Sequence, residues 1–532
     1  MFCANNLTTS EIYENICKQR GINRPDDFYS PSEDWILSPY KLKNMKMAVK
    51  VTERHRNDYV GVFFDTDADG ICSGTEVTQE LKELGYKVKT FINSGKAHGL
   101  LQGDQLKTIK ASGIKLLIIP DSLDGTIDGY KELHDAGIDI ILLDHHDVRT
   151  DYPDDIVTLV TSNVEYDNPD LSGAGVALKY CIALDELYNT HYSDDLYDLA
   201  AIGILADVSD VYSSMENRAI IYKGLNNLKN PAVKKILGSY EFNAKSVLFS
   251  IAPAVNACVR TNATQLARDF FLETENKKLL AMRKEIEGQK ALQDQEKERL
   301  LESVRQQLDT QKESDFGYAI IKTNLGVSGL IGNTVLDEYN KPIFIFNDTG
   351  SDVFIGSMRS VKYGNFVDIA NSTGLISCKG HGEASGVEIY KSNLDEFVKK
   401  LTEILKNTPA VDEGVIADQY DLEIDVDYID RDFSDIMSKI NRITGNGFKP
   451  VTVKVNNITG YTVGSFKDGK HLTLSVDNTN VMVIDWNTSE DFDEWDLHSM
   501  CDDPFSVLCE VEHGYFGRQF TIKLIVKKFI WE

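Results

Sequence analysis

Cysteine is sparse and scattered in this chain: Cys3, Cys17, Cys72, Cys181, Cys258, Cys378, Cys501 and Cys509, with no Cys-x-x-Cys pair among 532 residues. That spacing argues against a zinc ribbon or a disulfide frame and reads as reduced thiols. Long apolar runs are missing too, and none approaches the roughly 20 residues that cross a bilayer. The N-terminal MFCANNLTTSEIY has neither a basic region nor an apolar core, so a signal peptide is not expected and a cytoplasmic, membrane-free location is. No internal repeat or low-complexity stretch appears. Positive charge is also short: 56 Lys and Arg against 83 Asp and Glu leave a formal charge of −27. A basic stripe is the usual footprint of nucleic-acid binding, and composition therefore argues partly against that class. Only modest basic groups (Lys96, Arg260, Arg359, Lys362, Lys379) offer a local track.

What the chain does have is three apolar runs that each stop at an acid. They are YVGVFF before DTDADG (59–70), KLLIIP before Asp121 (115–121), and IDIILL before DHHDV (138–148). Short β-rich runs without polar alternation mark strands buried on both faces of a parallel sheet. In such sheets the ligand crevice lies outside the carboxyl ends of the strands. Asp65, Asp67, Asp69, Asp121, Asp144, His145 and His146 are thus expected at one rim. A single Asp after a strand is usually a turn residue or a helix cap. Three coincident strand ends, one followed by two histidines, are hard to explain that way. So many carboxylates together raise one another's pKa unless cations neutralise them. Mixed Asp and His donors suit a transition metal such as Mn²⁺ better than Ca²⁺ or an isolated Mg²⁺. A fourth acid, Asp207, ends the apolar run LAAIGILAD (199–207), read as a buried helix that delivers its carboxylate to the same crevice.

DTDADG at 65–70, Asp121, DHH at 144–146 and ADVSD at 206–210 together resemble the DHH phosphoesterase superfamily, and within it the RecJ-like single-strand exonucleases. NICKQRGI (15–22), LSPYKLKNMKMAV (37–49), LSGAGVALKY (171–180), APAVNACVR (252–260), ITGNGFKPV (443–451) and KHLTLSV (470–476) extend the resemblance over nearly the whole chain. GVSGLIGNTVLDEYNKPIFIF (326–346), FIGSMRS (354–360) and CKGHGEASGVEI (378–389) look like the DHH-associated domain, DHHA1. There, Gly380, His381, Gly382 and Gly386 are expected to form a loop whose amides approach an anion. Arg359 offers a bidentate fork between Ser357 and Ser360.

The resemblance implies an α/β architecture in parts. These are a helical preface (1–50), a DHH domain (51–260), a long connector helix (261–315), a DHHA1 domain (316–408) and a C-terminal OB-like β-barrel (415–532). It implies two divalent ions, Mn²⁺ preferred and Mg²⁺ admissible, held by Asp67, Asp69, Asp121, His145 and Asp207, with Asp65 beside them. Asp144 is expected to orient a ligand and His146 to polarise the scissile phosphate or protonate the leaving oxygen. Arg359, Ser357, Ser360, Gly380, His381 and Gly382 would hold substrate phosphate, with Asn256 and Arg260 taking the next ones along. The implied activity is two-metal, 5′-to-3′ degradation of single-stranded DNA to mononucleotides, with a helicase or single-strand-binding protein as helper. Alternatives are a DHH enzyme for short oligoribonucleotides or cyclic dinucleotides, a pyrophosphatase, and a non-catalytic replication scaffold. The chain departs from the pattern at AHGLL (97–101), where a Gly-Tyr-Gly is usual, and at Ser122, Leu123 and Asp124. It also carries one glycine, not two, before His381. The acidic NTSEDFDEWD (487–496) fits a solvated face or a basic partner better than DNA.

Overall fold

A computed structural model describes residues 1–95, 99, 103–122, 126–147, 152–153, 155–361, 363–409, 419–466, 471–486, 504–516 and 519–531. The side chains of His381, Phe466, Phe516 and Trp531 are outside that description, as are Lys96, His98, Asp124, Lys362, Cys501 and 487–496. The chain opens on a two-residue strand, β1 (Phe2–Cys3), that joins the last of three sheets.

The first sheet contains β2 (Tyr59–Phe64), β3 (Lys87–Ile92), β4 (Ile114–Pro120), β5 (Asp139–Asp144) and β6 (Val157–Thr161), in the order β3-β2-β4-β5-β6. All four ladders are parallel. The apolar runs do not alternate because both faces are covered. Val62, Phe64, Leu116, Ile118, Ile141 and Leu143 enter one core, with the helices Met45–Arg54, Ala68–Glu83, Gly173–Tyr188 and Tyr197–Ala206. Phe63, Leu117, Ile119 and Leu142 enter the other, under Asp104–Ala111 and Ile127–Asp135. Strand order reverses between β2 and β4, and that switch point is where a crevice opens at the carboxyl ends.

The second sheet holds β7 (Gly317–Ile321), β8 (Ile343–Asp348), β9 (Val353–Arg359), β10 (Ile376–His381) and β11 (Ala384–Tyr390), ordered β10-β11-β9-β8-β7. Residues 261–315 form two helices, Thr264–Leu272 and Asn276–Asp309, where one long connector was expected. The break has a local cause: Glu273 is extended, and its carboxylate accepts from the amides of Thr274 and Glu275, an alternative to helix continuation. The second helix places Leu279 and Ile286 in the first core and Leu300, Leu301, Val304 and Leu308 under the second sheet.

The third sheet adds β12 (Leu422–Asp425), β13 (Val453–Ile458), β14 (Tyr461–Phe466), β15 (His471–Val476), β16 (Val481–Asp485), β17 (Phe505–Phe516) and β18 (Gln519–Trp531). Its order is β1-β12-β13-β17-β18-β16-β15-β14, and no ladder joins the outer strands β1 and β14 among the described residues. The expected β-rich C-terminal region is present. Its apolar face is continuous with the first core, and Arg20 holds Asp421 through two hydrogen bonds of 3.0 and 2.7 Å.

Candidate active site

β2 delivers Asp65 to the crevice, and the next residues turn into the Ala68–Glu83 helix. Asp67 caps that helix, accepting from the Gly70 amide at 2.9 Å. Asp69 is in its first turn but points away to a second helix end. Its carboxylate accepts from Ser172 Oγ (3.0 Å), the Gly173 amide (2.8 Å) and the Ala174 amide (3.0 Å) at the start of Gly173–Tyr188. A helix N-terminus favours a negative group, so these donors offset part of the cost of burying Asp69. The approach is so close that a Cβ on Gly203 would collide with the Asp69 carboxylate, and one on Gly173 with that of Asp121.

β4 leads directly into Asp121, whose backbone is left-handed (φ 58°) and whose amide donates to the Leu143 carbonyl at 2.8 Å. A non-glycine residue in that region is a strained turn of the kind that clusters at functional sites. Next to it Ser122 Oγ donates to Asp65 Oδ1 at 3.0 Å. β5 ends at Asp144, fully buried. One of its oxygens accepts from the amides of His145 (2.7 Å) and His146 (2.8 Å) and pairs with His146 Nδ1 (2.8 Å). Asp207 caps the buried Tyr197–Ala206 helix as its terminal residue, as expected.

His145 stands at the centre. Its Nε2 is 3.2 Å from Asp121 Oδ1 and 3.9 Å from Asp69 Oδ2, and its Nδ1 is 3.7 Å from Asp207 Oδ2. Three sets of donor atoms converge to within 4.8 Å: Asp121, His145 and His146; Asp69, His145 and Asp207; Asp65, Asp67 and Asp121. Asp121 Oδ1 and His145 Nε2 are buried, yet neither has a hydrogen-bond partner. Buried acceptors without donors are costly, and a cation between them removes the cost. The mixed oxygen and nitrogen donors fit divalent metal ions.

The electrostatics agree. Burial first, then the neighbouring acids Asp69, Asp67 and Asp65, drives the Asp121 carboxyl well above the usual range. Burial and then Asp69 and Asp67 push Asp207 up to about 8. Burial also raises Asp69, with His145 opposing. Asp144 differs: burial pushes upward, but the hydrogen bond from His146 overcomes it and holds the carboxyl below its ordinary value. The same bond lifts His146 to about 10.

Across the connector, Arg359 ends β9 with Nη1 donating to the Met358 carbonyl at 2.8 Å and Nε donating to Asn333. Ser357 Oγ is 2.9 Å from Ser328 Oγ. Arg260 ends the Ala252–Arg260 helix and donates to Gln293 at 3.2 Å; burial, then the nearby Arg359 charge, pulls its guanidinium below the usual value. Asn256 is half-buried on the same helix. Ser360 is buried, with its amide bonded to the Glu383 carbonyl at 2.8 Å. The expected glycine loop takes a different form. Gly380 and Gly386 lie within the paired strands β10 and β11, and Gly382 with Glu383 makes a two-residue turn. Cys378, Val387 and Ile389 alternate into the core, which fixes strands where glycine content pointed to a loop. His381 ends β10.

Sequence reading missed Ser122, the Ser172–Ala174 amide cradle, Ser328 and Asn333. The segment 171–180 belongs to the family resemblance, but it carries no side chain that announces a backbone donor.

The model of the DHH family, N-terminal domain, matches residues 59–204. A protein described as a candidate SPbeta prophage-derived single-strand DNA-specific exonuclease, YorK of Bacillus subtilis, is 28% identical over 431 residues, 74% of each chain. The single-stranded-DNA-specific exonuclease RecJ of the same organism is 24% identical over 450 residues, 80% of this chain and 56% of that one. The crystal structure of RecJ with Mn²⁺ from Thermus thermophilus superimposes with a TM-score of 0.74 at 19% identity, covering 98% of this chain and 76% of that chain. The acids at three parallel strand ends, the DHH match and this shared fold converge: residues 59–204 form a DHH-family N-terminal domain, within a chain that has a RecJ-like fold.

Proposed function

We propose that this protein is a metal-dependent exonuclease that degrades single-stranded DNA from its 5′ end and releases mononucleotides. The observation that carries the reading is the convergence of Asp69, Asp121, His146 and Asp207 on His145, with Asp121 Oδ1 and His145 Nε2 buried and without a hydrogen-bond partner. The names of the similar proteins YorK and RecJ supply the substrate class. Asp67, Asp69, Asp121, His145 and Asp207 would hold two divalent ions, Mn²⁺ in preference to Mg²⁺, with Asp65 beside them. Bound there, the ions supply Lewis-acid charge for the phosphodiester and activate water for attack.

The protein's own groups do the rest. Asp144 fixes His146 through Nδ1, so the imidazolium keeps a proton at Nε2 to give to the phosphoryl or leaving oxygen. Asn163 braces the same loop, donating to the His145 carbonyl at 3.3 Å and to Asp147 at 2.9 Å. The Arg359 and Arg260 charges repel one another, and a phosphate between them would relieve that repulsion. Ser357, Ser360, Asn256, Gly380, His381 and Gly382 complete this grip. The domain boundaries set out from the sequence, with two helices in place of the single connector, the OB-like character of the C-terminal region, a cytoplasmic setting and a helicase or single-strand-binding helper belong to the same proposal. Among the described residues no helix is long and apolar enough to cross a membrane.

The test is digestion of a 5′-labelled single strand of about 30 nucleotides, long enough to cross a catalytic groove and a further binding domain. It is run with Mn²⁺, Mg²⁺ or EDTA, beside duplex DNA, RNA and a dinucleotide. Immediate release of labelled mononucleotide, only with metal and only from the single strand, is the expected result. Cleavage confined to the dinucleotide overturns it.

A further inference from the structure

The segment FSIAPAVNACVR (249–260) contains a proline where a helix is already under way. Pro253 has no amide hydrogen, and the ladder before it widens: residues Val247–Ile251 form a π-turn, with the Ala252 amide bonded back to the Val247 carbonyl. Such turns change which side chains face outward and recur at functional sites. Here the outward side chain is Phe249, which is 70% exposed. Among the described residues it is the one exposed phenylalanine. An aromatic ring left in water forgoes its hydrophobic stabilisation and leaves a π-face free for a partner.

Phe249 is not isolated. Phe249, Pro253, Asn256 and Arg260 recur at intervals of four, three and four, which places them on one helix face, and the last three are half-exposed. Val247, Ile251, Val255, Cys258 and Val259 are buried on the opposite side. The far end of this face meets the second sheet's domain: the Arg260 carbonyl accepts from the Gly326 amide at 2.9 Å, and the Arg359 charge is felt at Arg260. One helix face thus has two guanidinium groups at one end and a bare ring at the other.

We propose that Phe249 is a stacking platform for a base of single-stranded nucleic acid, about 16 Å along the helix from the phosphate grip at Arg260. The inference rests on the single-strand reading above. A chain so acidic has little long-range attraction for a polyanion, and stacking supplies affinity that does not depend on charge or base identity.

The probe is a 5′-phosphorylated single strand of about 20 nucleotides carrying 2-aminopurine at successive positions, bound in EDTA and separately cleaved with Mn²⁺. In the unaltered protein one internal position should be quenched. Phe249→Ala should abolish that quench and weaken binding about 5- to 150-fold, the range set by loss of one stacked base. Phe249→Trp should restore both; Phe249→Leu should restore neither. Cleavage of the long strand should show a raised KM with Phe249→Ala. If Phe249→Ala binds and quenches like the unaltered protein, or if leucine rescues as well as tryptophan, stacking is refuted while the nuclease reading stands. If the unaltered protein neither binds nor cleaves the strand, the nuclease reading fails and this inference fails with it.

Discussion

The acids at the ends of β2, β4 and β5 are themselves shielded from water: Asp65, Asp69, Asp121 and Asp144 are each 3% exposed or less. Around Arg359 and Arg260 the protein is half-open, and the charged groups there have neutral hydrogen-bond partners. Geometry in the first half is set by backbone: strand ends, a left-handed turn at Asp121 and a helix N-terminus on Asp69. In the second half it is set by long side chains held by hydrogen bonds to neutral groups. The difference teaches that removing a group from the first half should cost chemistry, while removing one from the second should cost affinity.

The largest effect belongs to the closed half. Asp121→Asn or His145→Ala should lower cleavage about 10²- to 10⁴-fold, since breaking a buried charge cluster costs about 3–5 kcal/mol. Calorimetric titration with Mn²⁺ should lose at least one binding event in either variant. Near-normal turnover would show that the metals sit elsewhere. Asp144→Asn should be milder, about 10- to 100-fold, because it acts by holding His146 and the His145 amide.

In the open half, Arg359→Ala should raise KM about 10- to 100-fold with kcat less affected, the loss expected of one charge-assisted phosphate contact. Arg359→Lys should recover only part of it, because an ammonium lacks the planar fork. Steady-state kinetics on a 5′-phosphorylated strand separate the two constants. If kcat falls as far as in Asp121→Asn, the two halves do not divide the work as argued.

The two halves were also unequally legible in the sequence. Three runs without polar alternation revealed strands covered on both faces, and their terminal acids followed from that alone. Asp207 was readable as the end of an apolar helix, and Arg359 only through its place in a known order of motifs. The amide cradle under Asp69 was not readable, because Gly173 and Ala174 contribute backbone 104 and 105 residues away. The hairpin around Gly382 was hidden by its glycine content. β1 was hidden by its length: two residues have no period, and their partner β12 lies some four hundred residues on.

Without metal, the closed half should oppose folding as pH rises. A carboxyl raised in the folded state binds more protons folded than unfolded, so its penalty is absent below the unfolded pKa near 4 and grows up to the folded value. For Asp207 that window runs to about 8, and Asp121 and Asp69 shift the same way. In EDTA, the Tm should therefore fall between about pH 4 and pH 8 more steeply than in Asp207→Asn. The rise in Tm on adding Mn²⁺ should grow over the same range, because ligands must be deprotonated to bind. A Tm in EDTA with the same pH profile in both proteins would mean that these acids carry no such strain.

The smallest effect tests how the halves are joined. Arg305 on the connector helix grips Glu338 on the Ser328–Tyr339 helix through two hydrogen bonds of 2.9 and 2.6 Å. Both side chains are more than a third exposed, at 41% and 34%, so water screens the pair. Glu338→Gln should cost only about 0.2–1 kcal/mol in denaturant unfolding. The apolar contacts of Leu300, Leu301, Val304 and Leu308 with Ile331 and Val335 should keep the helix on its sheet. The connector also presents Gln293 to Arg260, so a loosened joint would reach the proposed phosphate grip before the acidic cluster. A KM that rises in Glu338→Gln with kcat unchanged would place the coupling between the halves in this ion pair; an unchanged KM assigns it to the buried leucines.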